Sequence, residues 1–459
     1  MKTAIRRLSF YKEAADIFEI YKEKEMAVFL DSALENSLGQ YSVIGLFPYL
    51  VIKEEEGICY KNGLPVSVSF EEAMNRELKG RQEENPTELP LTAGAIGYFS
   101  YDYGRKFEQI KSRHPKKIAM PEALFAFYDL LIIEDKKEKV LYLTAKGETK
   151  DQEKMLDIIE EEIRLCGAAA KPEKQNQLAD FIPNFEKEEY KQTVDQMISY
   201  IVEGDIYIAN MTQQLEAKST KEPYEVYRYL RTHNPAPFAG YFNYGDFQIA
   251  SASPERFLQV KEGMIETRPI KGTRKRGNTP KEDAELKEEL RNSSKDRSEL
   301  LMIVDLERND LNHVCEPGSV KVTEHFAVET YATVFHLVTT IVGKMKKNLQ
   351  IMDLIQAAFP GGSITGAPKI RAMEIIDELE QDRRGLYTGS MGYLSLDGSC
   401  DLNIVIRTAV YQNGVYHLGV GGGITCESEL EFEYEETLQK AKAVLEAIWE
   451  QGGEVYADT

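Results

Sequence analysis

The sequence predicts a mixed α/β (α+β) fold that contains a large amount of antiparallel sheet. Residues 26–165 hold short apolar segments separated by turn residues, which is the pattern of strands joined by hairpins. After residue 180, charged helices alternate with strands, and residues 389–423 form a run of strands with turns at Asp397-Gly398 and Asn413-Gly414. The regular strand-helix-strand rhythm of a dinucleotide-binding sheet is missing, so a parallel architecture is not expected.

Apolar residues at helical spacing place the helices along the chain. The predicted helical segments are 149–165, 281–311, 351–359, 370–380 and 431–450. Segment 166–180 is small, polar and contains proline, so we interpret it as a linker or surface crossover. The predicted organisation is therefore an N-terminal region (1–165), this linker (166–180) and a C-terminal domain (181–459).

The composition limits the possible partners. The 459 residues include 56 Lys and Arg against 76 Asp and Glu, which gives a formal net charge of −20 and a pI near 5.0. Nucleic acid and anionic membranes are not expected as partners, because both attract basic surfaces. The first residues do not resemble a signal peptide, and the most apolar window, 123–133, is too short to span a membrane. The scattered cysteines, without CxxC pairs, indicate neither a disulfide framework nor a zinc site, and we expect a protein of the reducing cytoplasm.

One basic segment interrupts this acidity. Residues 268–277, RPIKGTRKRG, carry five positive charges and no acid. Lys271 stands between Ile270 and Gly272, a setting in which one lysine could be held inside a pocket. Neighbouring cations and desolvation would favour the neutral amine that nucleophilic attack requires. The other four charges are expected to form a local field and a solvated rim.

Two pairs of carboxylates have the spacing i, i+3 on predicted helices. Glu433 and Glu436 lie with Lys440 on the face of the last helix opposite its apolar stripe. Asp296 and Glu299 begin an apolar helix. Either pair could share a divalent cation. By itself, the first pair is more typical of a solvated helix face, and the second of acids that complement a helix N-terminus.

A predicted strand over residues 401–411, DLNIVIRTAVY, contains Arg407. Both faces of this strand are largely apolar, so Arg407 is expected to be buried or to line a pocket and to need an anionic partner, either an internal acid or a ligand. Glycines 421–423 would let backbone N–H groups approach an anion closely. His336 lies in an apolar strand-like segment, where a histidine is more often a core residue than a catalyst. Residues 359–369, FPGGSITGAPK, lack the ending of a phosphate-binding loop and predict a turn before a helix.

Several blocks of the sequence, taken in order, match one family. They are SASPERFL (251–258), RPIKGTR (268–274), KDRSELLMIVDLERNDL (295–311), FHLVTT (335–340), FPGGSITGAPKIRAMEIIDELE (359–380), RRGLYTGSMGYLS (383–395), GGGI (421–424) and EYEET (433–437). Together they resemble the chorismate-utilising enzymes, which include synthases of anthranilate, aminodeoxychorismate, isochorismate and salicylate. The resemblance is strong over residues 180–450 and looser before them. It implies an antiparallel β-sandwich core flanked by helices, like that of anthranilate synthase component I.

The resemblance also implies an active site. Glu299 and Glu436 fall where the family binds Mg²⁺. Asp296 and Glu433 are close enough in sequence to assist through water. His336 corresponds to the active-site histidine of the family. The positions that would surround chorismate are Gly272, Thr273, Tyr387, Arg407, Gly421, Gly422 and Gly423. Since chorismate carries two carboxylates, the metal and an arginine would supply the positive charge that an acidic protein otherwise lacks.

Two positions separate the subfamilies. Enzymes that add water carry a lysine base after a GDxY segment, where this chain has Ile208, so formation of isochorismate or salicylate is disfavoured. Glutamine is common there in the nearer relatives, so Ile208 is also a departure from their pattern. Anthranilate synthases usually have alanine in the middle of PIxGT, whereas Lys271 is typical of aminodeoxychorismate synthase component I.

For that subfamily the resemblance implies a covalent mechanism. Lys271 attacks carbon 2 of chorismate, and Glu255 protonates the hydroxyl that leaves carbon 4. Ammonia then adds at carbon 4 and expels Lys271, which gives the 4-amino-4-deoxychorismate of 4-aminobenzoate and folate synthesis. Glu255 would need a pKa raised by burial or by a neighbouring acid to keep its proton near neutral pH.

Two further expectations concern a partner and a ligand. The resemblance implies a separate glutamine amidotransferase subunit as the source of ammonia, and no cysteine nucleophile for glutamine hydrolysis is recognisable in this chain. Ser32, in FLDSA (29–33), falls where the family binds tryptophan, although an ordinary strand end is an equally good interpretation. The alternatives are anthranilate synthase component I and a silent sensor of chorismate or tryptophan.

Overall fold

The computed structural model describes residues 2–36, 38–174, 176–330 and 334–450. The strands are β1 (Ala4–Arg7), β2 (Val28–Asp31), β3 (Tyr41–Glu55), β4 (Ile58–Lys61), β5 (Leu64–Pro65), β6 (Gly94–Phe99), β7 (Ala123–Asp135), β8 (Val140–Ala145), β9 (Ile182–Pro183), β10 (Ile208–Lys218), β11 (Phe238–Asn243), β12 (Gln248–Ser253), β13 (Arg256–Lys261), β14 (Met264–Thr267), β15 (Ile270–Lys275), β16 (Lys321–Thr330), β17 (Val334–Lys344), β18 (Gly366–Ala367), β19 (Ser390–Ser395), β20 (Cys400–Asn403), β21 (Thr408–Gln412) and β22 (Val415–Ile424). The α-helices are α1 (Ala14–Phe18), α2 (Phe70–Gly80), α3 (Gln152–Leu165), α4 (Lys187–Glu203), α5 (Pro223–His233), α6 (Pro280–Asn292), α7 (Ser294–Val314), α8 (Ile351–Ala358), α9 (Lys369–Leu379) and α10 (Leu430–Ile448). Short 3₁₀ helices cover Tyr101–Lys106 and Gly362–Ile364.

The strands join one hydrogen-bonded network, and every pairing described is antiparallel. The two halves of the chain share this sheet, because β2 pairs with β11 and β6 pairs with β19. The mixed fold with a large antiparallel sheet and flanking helices is therefore confirmed. The division into regions 1–165, 166–180 and 181–459 stays a prediction, and strands from both sides of the linker pair with each other.

Apolar side chains fill the space between the sheet and the helices. One cluster lies beneath α3, α5 and α10 and includes Met155, Tyr227 and Leu445. Another lies beneath α7 and α8 and includes Leu300 and Ile355. These two apolar clusters hold α7 and α10, the helices that carry carboxylates of the site described below. In the described part of the chain, no helix is both long and apolar enough to cross a membrane.

Most of the predicted elements are confirmed with small shifts of their ends. The segment 281–311 is helical but consists of two helices, α6 and α7, and Ser293 between them accepts a hydrogen bond from the backbone N–H of Asp296. The run 389–423 contains four strands, and both of its predicted turns connect neighbouring strands. The described residues of the linker, 166–174 and 176–180, form no helix or strand. Side chains such as His233 bind the linker, with His233 Nε2 3.1 Å from the Pro172 carbonyl oxygen.

The predicted continuous strand over residues 401–411 is wrong. It is two strands, β20 and β21, separated by residues 404–407. The backbone N–H of Ile404 donates to the carbonyl of Glu255, and Arg407 has φ of 51°, in the left-handed region that a strand does not use. The alternation of faces inferred from a single strand therefore fails at Arg407.

Candidate active site

A cavity of about 640 Å³ opens between β15, β17, β22, α7 and α10. Apart from Ser32, it is lined by all the site residues that the sequence predicted: Glu255, Lys271, Gly272, Thr273, Asp296, Glu299, His336, Tyr387, Arg407, Gly421, Gly422, Gly423, Glu433 and Glu436. These residues come from positions up to 181 apart in sequence, since Glu255 and Glu436 mark the ends of the set. The fold therefore brings the predicted residues into one site.

Lys271 projects from β15 toward the glycine-rich end of β22. A Cβ at Gly423 would lie 3.2 Å from Lys271 Nζ and 3.5 Å from Ile208 Cδ1, so the missing side chain leaves room for the amine. The ammonium donates to the carbonyl oxygen of Ser363 at 3.2 Å, and among the described residues Lys271 forms no ion pair. Ile208 is buried and gives one side of this position an apolar wall. The basic side chain therefore lies at the cavity without an acid that would hold it in place.

Glu255 lies in the turn between β12 and β13, and only 6% of its surface is exposed. Ser363 Oγ donates to Glu255 Oε1 at 2.8 Å, while the carbonyl oxygen of Ser363 accepts from Lys271. Burial raises the pKa of Glu255, against the opposing effects of the Ser363 hydrogen bond and the Lys271 charge. Ser363 thus connects a carboxyl that favours its protonated form to the cavity lysine.

His336 and Thr273 face each other across the β15–β17 pair. Thr273 Oγ1 and His336 Nδ1 are 3.0 Å apart, and the strand register places these two residues opposite each other. Burial, helped by the positive charge of Arg407, lowers the pKa of His336 to about 4, so the imidazole is neutral at neutral pH. Gly272 forms the bulge beside them, with φ of 72°, and a Cβ there would lie 2.7 Å from the carboxyl carbon of Asp296.

Arg407 lies at the break between β20 and β21. Burial lowers the pKa of its guanidinium, and no acid of the described part of the chain forms an ion pair with it. The internal salt bridge that the sequence left open is therefore not formed by these residues. A cation in this setting attracts an anion from outside the protein, because a desolvated charge gains most from a partner.

Next to Arg407, the glycines of β22 form the opposite wall of the cavity. β22 pairs with β10 along its whole length, but its ladder with β21 ends at the Ala409–Leu418 pair. Alternate backbone groups of residues 419–423 therefore point away from β10 at an edge that β21 does not cover. The ring of Tyr387 lies against this strand, since a Cβ at Gly419 would approach the ring to 2.2 Å.

Four carboxylates line the other end of the cavity. Glu433 is 4% exposed, so the solvated helix face that its spacing alone favoured is wrong. Both Glu433 and Glu436 reach over Gly422, where a Cβ would lie 3.3 and 2.8 Å from their respective Oε2 atoms. Burial raises the pKa of Glu299 and of Glu433, and the charge of Glu436 adds to both increases. Asp296 forms an ion pair with Arg274, with 3.1 Å between the Asp296 Oδ2 and Arg274 Nη2 atoms.

Three of the four remaining charges of segment 268–277 are partly buried and paired with acids, so they are not the freely solvated rim that was expected. Arg268 pairs with Glu329, Arg274 with Glu289 at 2.8 Å and Asp296 at 3.1 Å, and Arg276 with Asp283 at 2.7 Å. These acids come from α6, α7 and β16, which fold over the segment. Lys275 alone keeps the predicted exposed position.

Ser32 lies outside this cavity. It lines a separate cavity of about 930 Å³ between the N-terminal and C-terminal strands. Its hydroxyl donates to the carbonyl oxygen of Tyr41 at 2.6 Å. The neighbouring Asp31 is buried and accepts hydrogen bonds from Ser42, Tyr227 and Arg231. A role for Ser32 in binding tryptophan stays a prediction.

Sequence reasoning missed two residues of the site. Ser363 belongs to a segment interpreted as a plain turn, and the paired glycines before it were the available signal that a backbone comes close to other groups. Lys440 was grouped with the glutamates of α10 but given no role. Its ammonium donates to Glu436 Oε2 at 3.1 Å and to the carbonyl oxygen of Gly421 at 2.8 Å.

The comparisons with known proteins identify the class. The chain belongs to the family of chorismate binding enzymes, whose model matches residues 33–446. It is 35% identical over 465 residues to aminodeoxychorismate synthase component 1 of Bacillus subtilis (strain 168), an alignment that covers 97% of each chain. It is also 35% identical over 454 residues to anthranilate synthase component 1 of Aquifex aeolicus (strain VF5), covering 94% of this chain and 91% of that one.

A solved structure gives the same result for the fold. The structure of anthranilate synthase component I from Streptococcus pneumoniae TIGR4 superposes with a TM-score of 0.81 at 32% sequence identity, and the match covers 90% of this chain and 93% of that chain. Overall similarity therefore does not separate the two activities, and the choice between them depends on individual side chains of the cavity.

Proposed function

We propose that this enzyme converts chorismate and ammonia to 4-amino-4-deoxychorismate, as aminodeoxychorismate synthase component I does. The observation that carries the proposal is the position of Lys271, whose amine lies at the cavity beside Gly423 and forms no ion pair with any described residue. An amine used as a nucleophile must be able to lose its proton, and a tight carboxylate partner would prevent that. The alanine usual in anthranilate synthases could not perform this step.

In the first half of the reaction, the Lys271 amine forms a bond to carbon 2 of chorismate. The ring double bonds shift, and the bond from carbon 4 to its hydroxyl breaks as Glu255 supplies a proton, so that water leaves. In the second half, ammonia bonds to carbon 4, the double bonds shift back, and the bond between carbon 2 and Lys271 breaks. Glu255 recovers a proton from the added ammonia, and the raised pKa of its carboxyl suits both steps.

The substrate is anchored through its carboxylates. Arg407 offers a guanidinium that forms no ion pair with the residues the structure describes, and planar guanidinium groups bind carboxylates through two parallel hydrogen bonds. The open edge of residues 419–423 adds backbone N–H donors. His336, neutral and hydrogen-bonded to Thr273, can donate or accept a hydrogen bond without adding charge.

The carboxylates of α7 and α10 fit a Mg²⁺ ion. The described residues contain no cluster of three or more acidic, histidine or cysteine side chains arranged to hold a metal. Mg²⁺ commonly takes only one or two protein carboxylates and completes its shell with water and substrate oxygens. Glu299 and Glu436 would supply these two ligands. The charge of Glu436 contributes to the raised pKa of Glu299, and a cation between the helices would offset this repulsion. Bound there, the ion would neutralise a substrate carboxylate.

The source of ammonia is proposed to be a separate glutamine amidotransferase subunit. The cavity residues include no cysteine that could attack glutamine, and the five cysteines are free thiols of which only Cys426 is exposed. The isolated chain should therefore use ammonium but not glutamine.

Anthranilate synthesis is the second candidate, favoured by the equal identity to the relative from Aquifex aeolicus. A silent sensor is disfavoured because every proposed reacting side chain lines the cavity. The test is to incubate the isolated chain with chorismate, Mg²⁺ and ammonium and to follow the products. The proposal predicts 4-amino-4-deoxychorismate, which becomes 4-aminobenzoate only after a lyase is added. Fluorescent anthranilate without the lyase would show the second candidate to be right, and no turnover would favour the sensor.

A further inference from the structure

Glu307 is a buried acid that the mechanism above does not use. It projects from α7 into the protein, with 9% of its surface exposed. It packs against the turn that carries Ser363, because a Cβ at Gly362 would lie 3.4 Å from Glu307 Cγ. Ser363 in turn binds both Glu255 and Lys271. Glu307 therefore lies next to the turn that holds the two proposed reacting groups.

The hydrogen bonds of Thr267 indicate which form of Glu307 is present. Thr267 Oγ1 lies 2.8 Å from the carbonyl oxygen of Phe257 and also 2.8 Å from Glu307 Oε2. A hydroxyl has a single proton to donate, and a carbonyl oxygen can only accept. Both contacts are full hydrogen bonds only when Thr267 donates to Phe257 and the carboxyl of Glu307 donates to Thr267. The geometry thus favours a protonated Glu307.

The charges around Glu307 point the same way. The groups that face it are the carboxyls of Glu255 and Asp310 and the ammonium of Lys369. Lys369 is already engaged by Asp310 Oδ2 at 2.6 Å and by the Ala358 carbonyl oxygen at 3.0 Å. Burial, with the charges of Glu255 and Asp310, raises the pKa of Glu307 to about 8.

We propose that Glu307 is a positioning residue that stays neutral at neutral pH and so allows Glu255 to become a carboxylate during the reaction. The proposal rests on the assignment of Glu255 as the acid. Two neighbouring buried carboxyls resist being ionised together. While Glu307 keeps its proton, Glu255 can give its own to the departing hydroxyl. Once Glu307 ionises in alkaline solution, its charge holds the proton on Glu255 and slows that transfer.

The first test needs no substrate. Infrared spectra of the full-length wild type and of Glu307→Gln are compared at pH 7, where the amide keeps the shape of the neutral acid. The proposal predicts one protonated-carboxyl C=O band, distinct from that of Glu255, which is present in the wild type, absent in the variant and lost on titration near pH 8. Glu316→Gln, in an exposed loop, should keep the band. If Glu307→Gln does not fold, Thr267→Val should shift the band by removing its hydrogen-bond partner. Identical spectra across these proteins would overturn the proposal.

The second test links the proton to catalysis. Ammonium-driven turnover is measured from pH 7 to 9.5 for the wild type and Glu307→Gln, and each rate is divided by that protein's rate at pH 7. The ratio of variant to wild type should rise about tenfold above pH 8 if the ionised Glu307 shifts the pKa of Glu255 by about one unit. A flat ratio would overturn the positioning role. Absence of 4-amino-4-deoxychorismate, with the infrared band present, would instead overturn the proposed function and the role built on it, and would leave the protonated carboxyl established.

Discussion

Replacement of Arg407 by methionine should make the substrate-free protein more stable and at the same time weaken its binding of chorismate. The described part of the chain offers the guanidinium no ion pair, and burial lowers its pKa. Methionine has a similar length and keeps the left-handed backbone, with φ of 51°, no more strained than arginine does. Removing an uncompensated, desolvated charge should raise the free energy of unfolding by about 1 kcal/mol.

The same substitution should weaken the binding of chorismate. Hydrogen bonds from a cation to a carboxylate are worth about 1.5–3 kcal/mol, so Arg407→Met should raise the KM for chorismate roughly 10- to 150-fold. The matched control is Arg256→Met. Arg256 is buried and is paired with Asp401 at 2.9 Å and Glu266 at 2.8 Å. Breaking that arrangement leaves two half-buried carboxylates without their cation and should lower the stability, whereas Arg407→Met should raise it.

Urea unfolding with and without chorismate measures both effects. The wild type should be stabilised by saturating chorismate, whereas Arg407→Met should be more stable alone and respond much less. The reasoning is refuted if Arg407→Met loses as much stability as Arg256→Met, or if its response to chorismate equals that of the wild type. In the first case Arg407 would have a strong internal partner, and in the second it would not contact the substrate.

Three further predictions concern the same cavity. Lys271→Ala should lower kcat roughly 10³-fold or more, but it should still bind Mg²⁺, as measured by calorimetry. Lys275→Ala should turn over at a rate near that of the wild type. Gly422→Ala places a methyl group where the carboxylates of α10 converge, so the Mg²⁺ concentration that gives a half-maximal rate should rise about tenfold. Gly167→Ala, whose added methyl group would lie in open space, should leave that concentration unchanged. Folding lowers the pKa of His336 from 6.5 to about 4, so the folded state favours the neutral imidazole. The stability gained from this neutral form is complete above pH 6.5. It is lost as the pH falls to 4, where the loss reaches about 3 kcal/mol. His336→Gln should flatten that part of the pH-stability curve measured by urea unfolding, and an unchanged slope would contradict the assignment.

Local patterns predicted the elements of the fold well. Helical spacing located α7 and α10, and turn residues located the strands around residues 397 and 413. The strand that contains Arg407 was mispredicted, since alternation of apolar residues cannot reveal that the backbone of residues 404–407 bonds to Glu255 and Gly389. That break is decided by tertiary contacts, which a single segment does not record.

The site was predicted by resemblance more than by spacing. The pattern of Glu433 and Glu436 alone favoured a solvent-facing surface, and the structure buries Glu433 because β22 packs against α10. Likewise, the arginines of segment 268–277 were predicted to be exposed charges, because the acids that pair with them come from α6, α7 and β16, which are distant in sequence or follow the segment. Ser363 and Glu307 lie within blocks that match the family but were assigned no role, and only the folded chain brings them close to Glu255.

The central claim is that Lys271 becomes covalently attached to the substrate, and intact-protein mass spectrometry tests it most directly. The wild type is mixed with chorismate and Mg²⁺ in the absence of ammonium and then quenched in acid. The account predicts a species heavier than the protein by chorismic acid minus one water, mapped by peptide digestion to Lys271 and absent from Lys271→Ala. No such species in the wild type, together with near-normal turnover by Lys271→Ala, would contradict it.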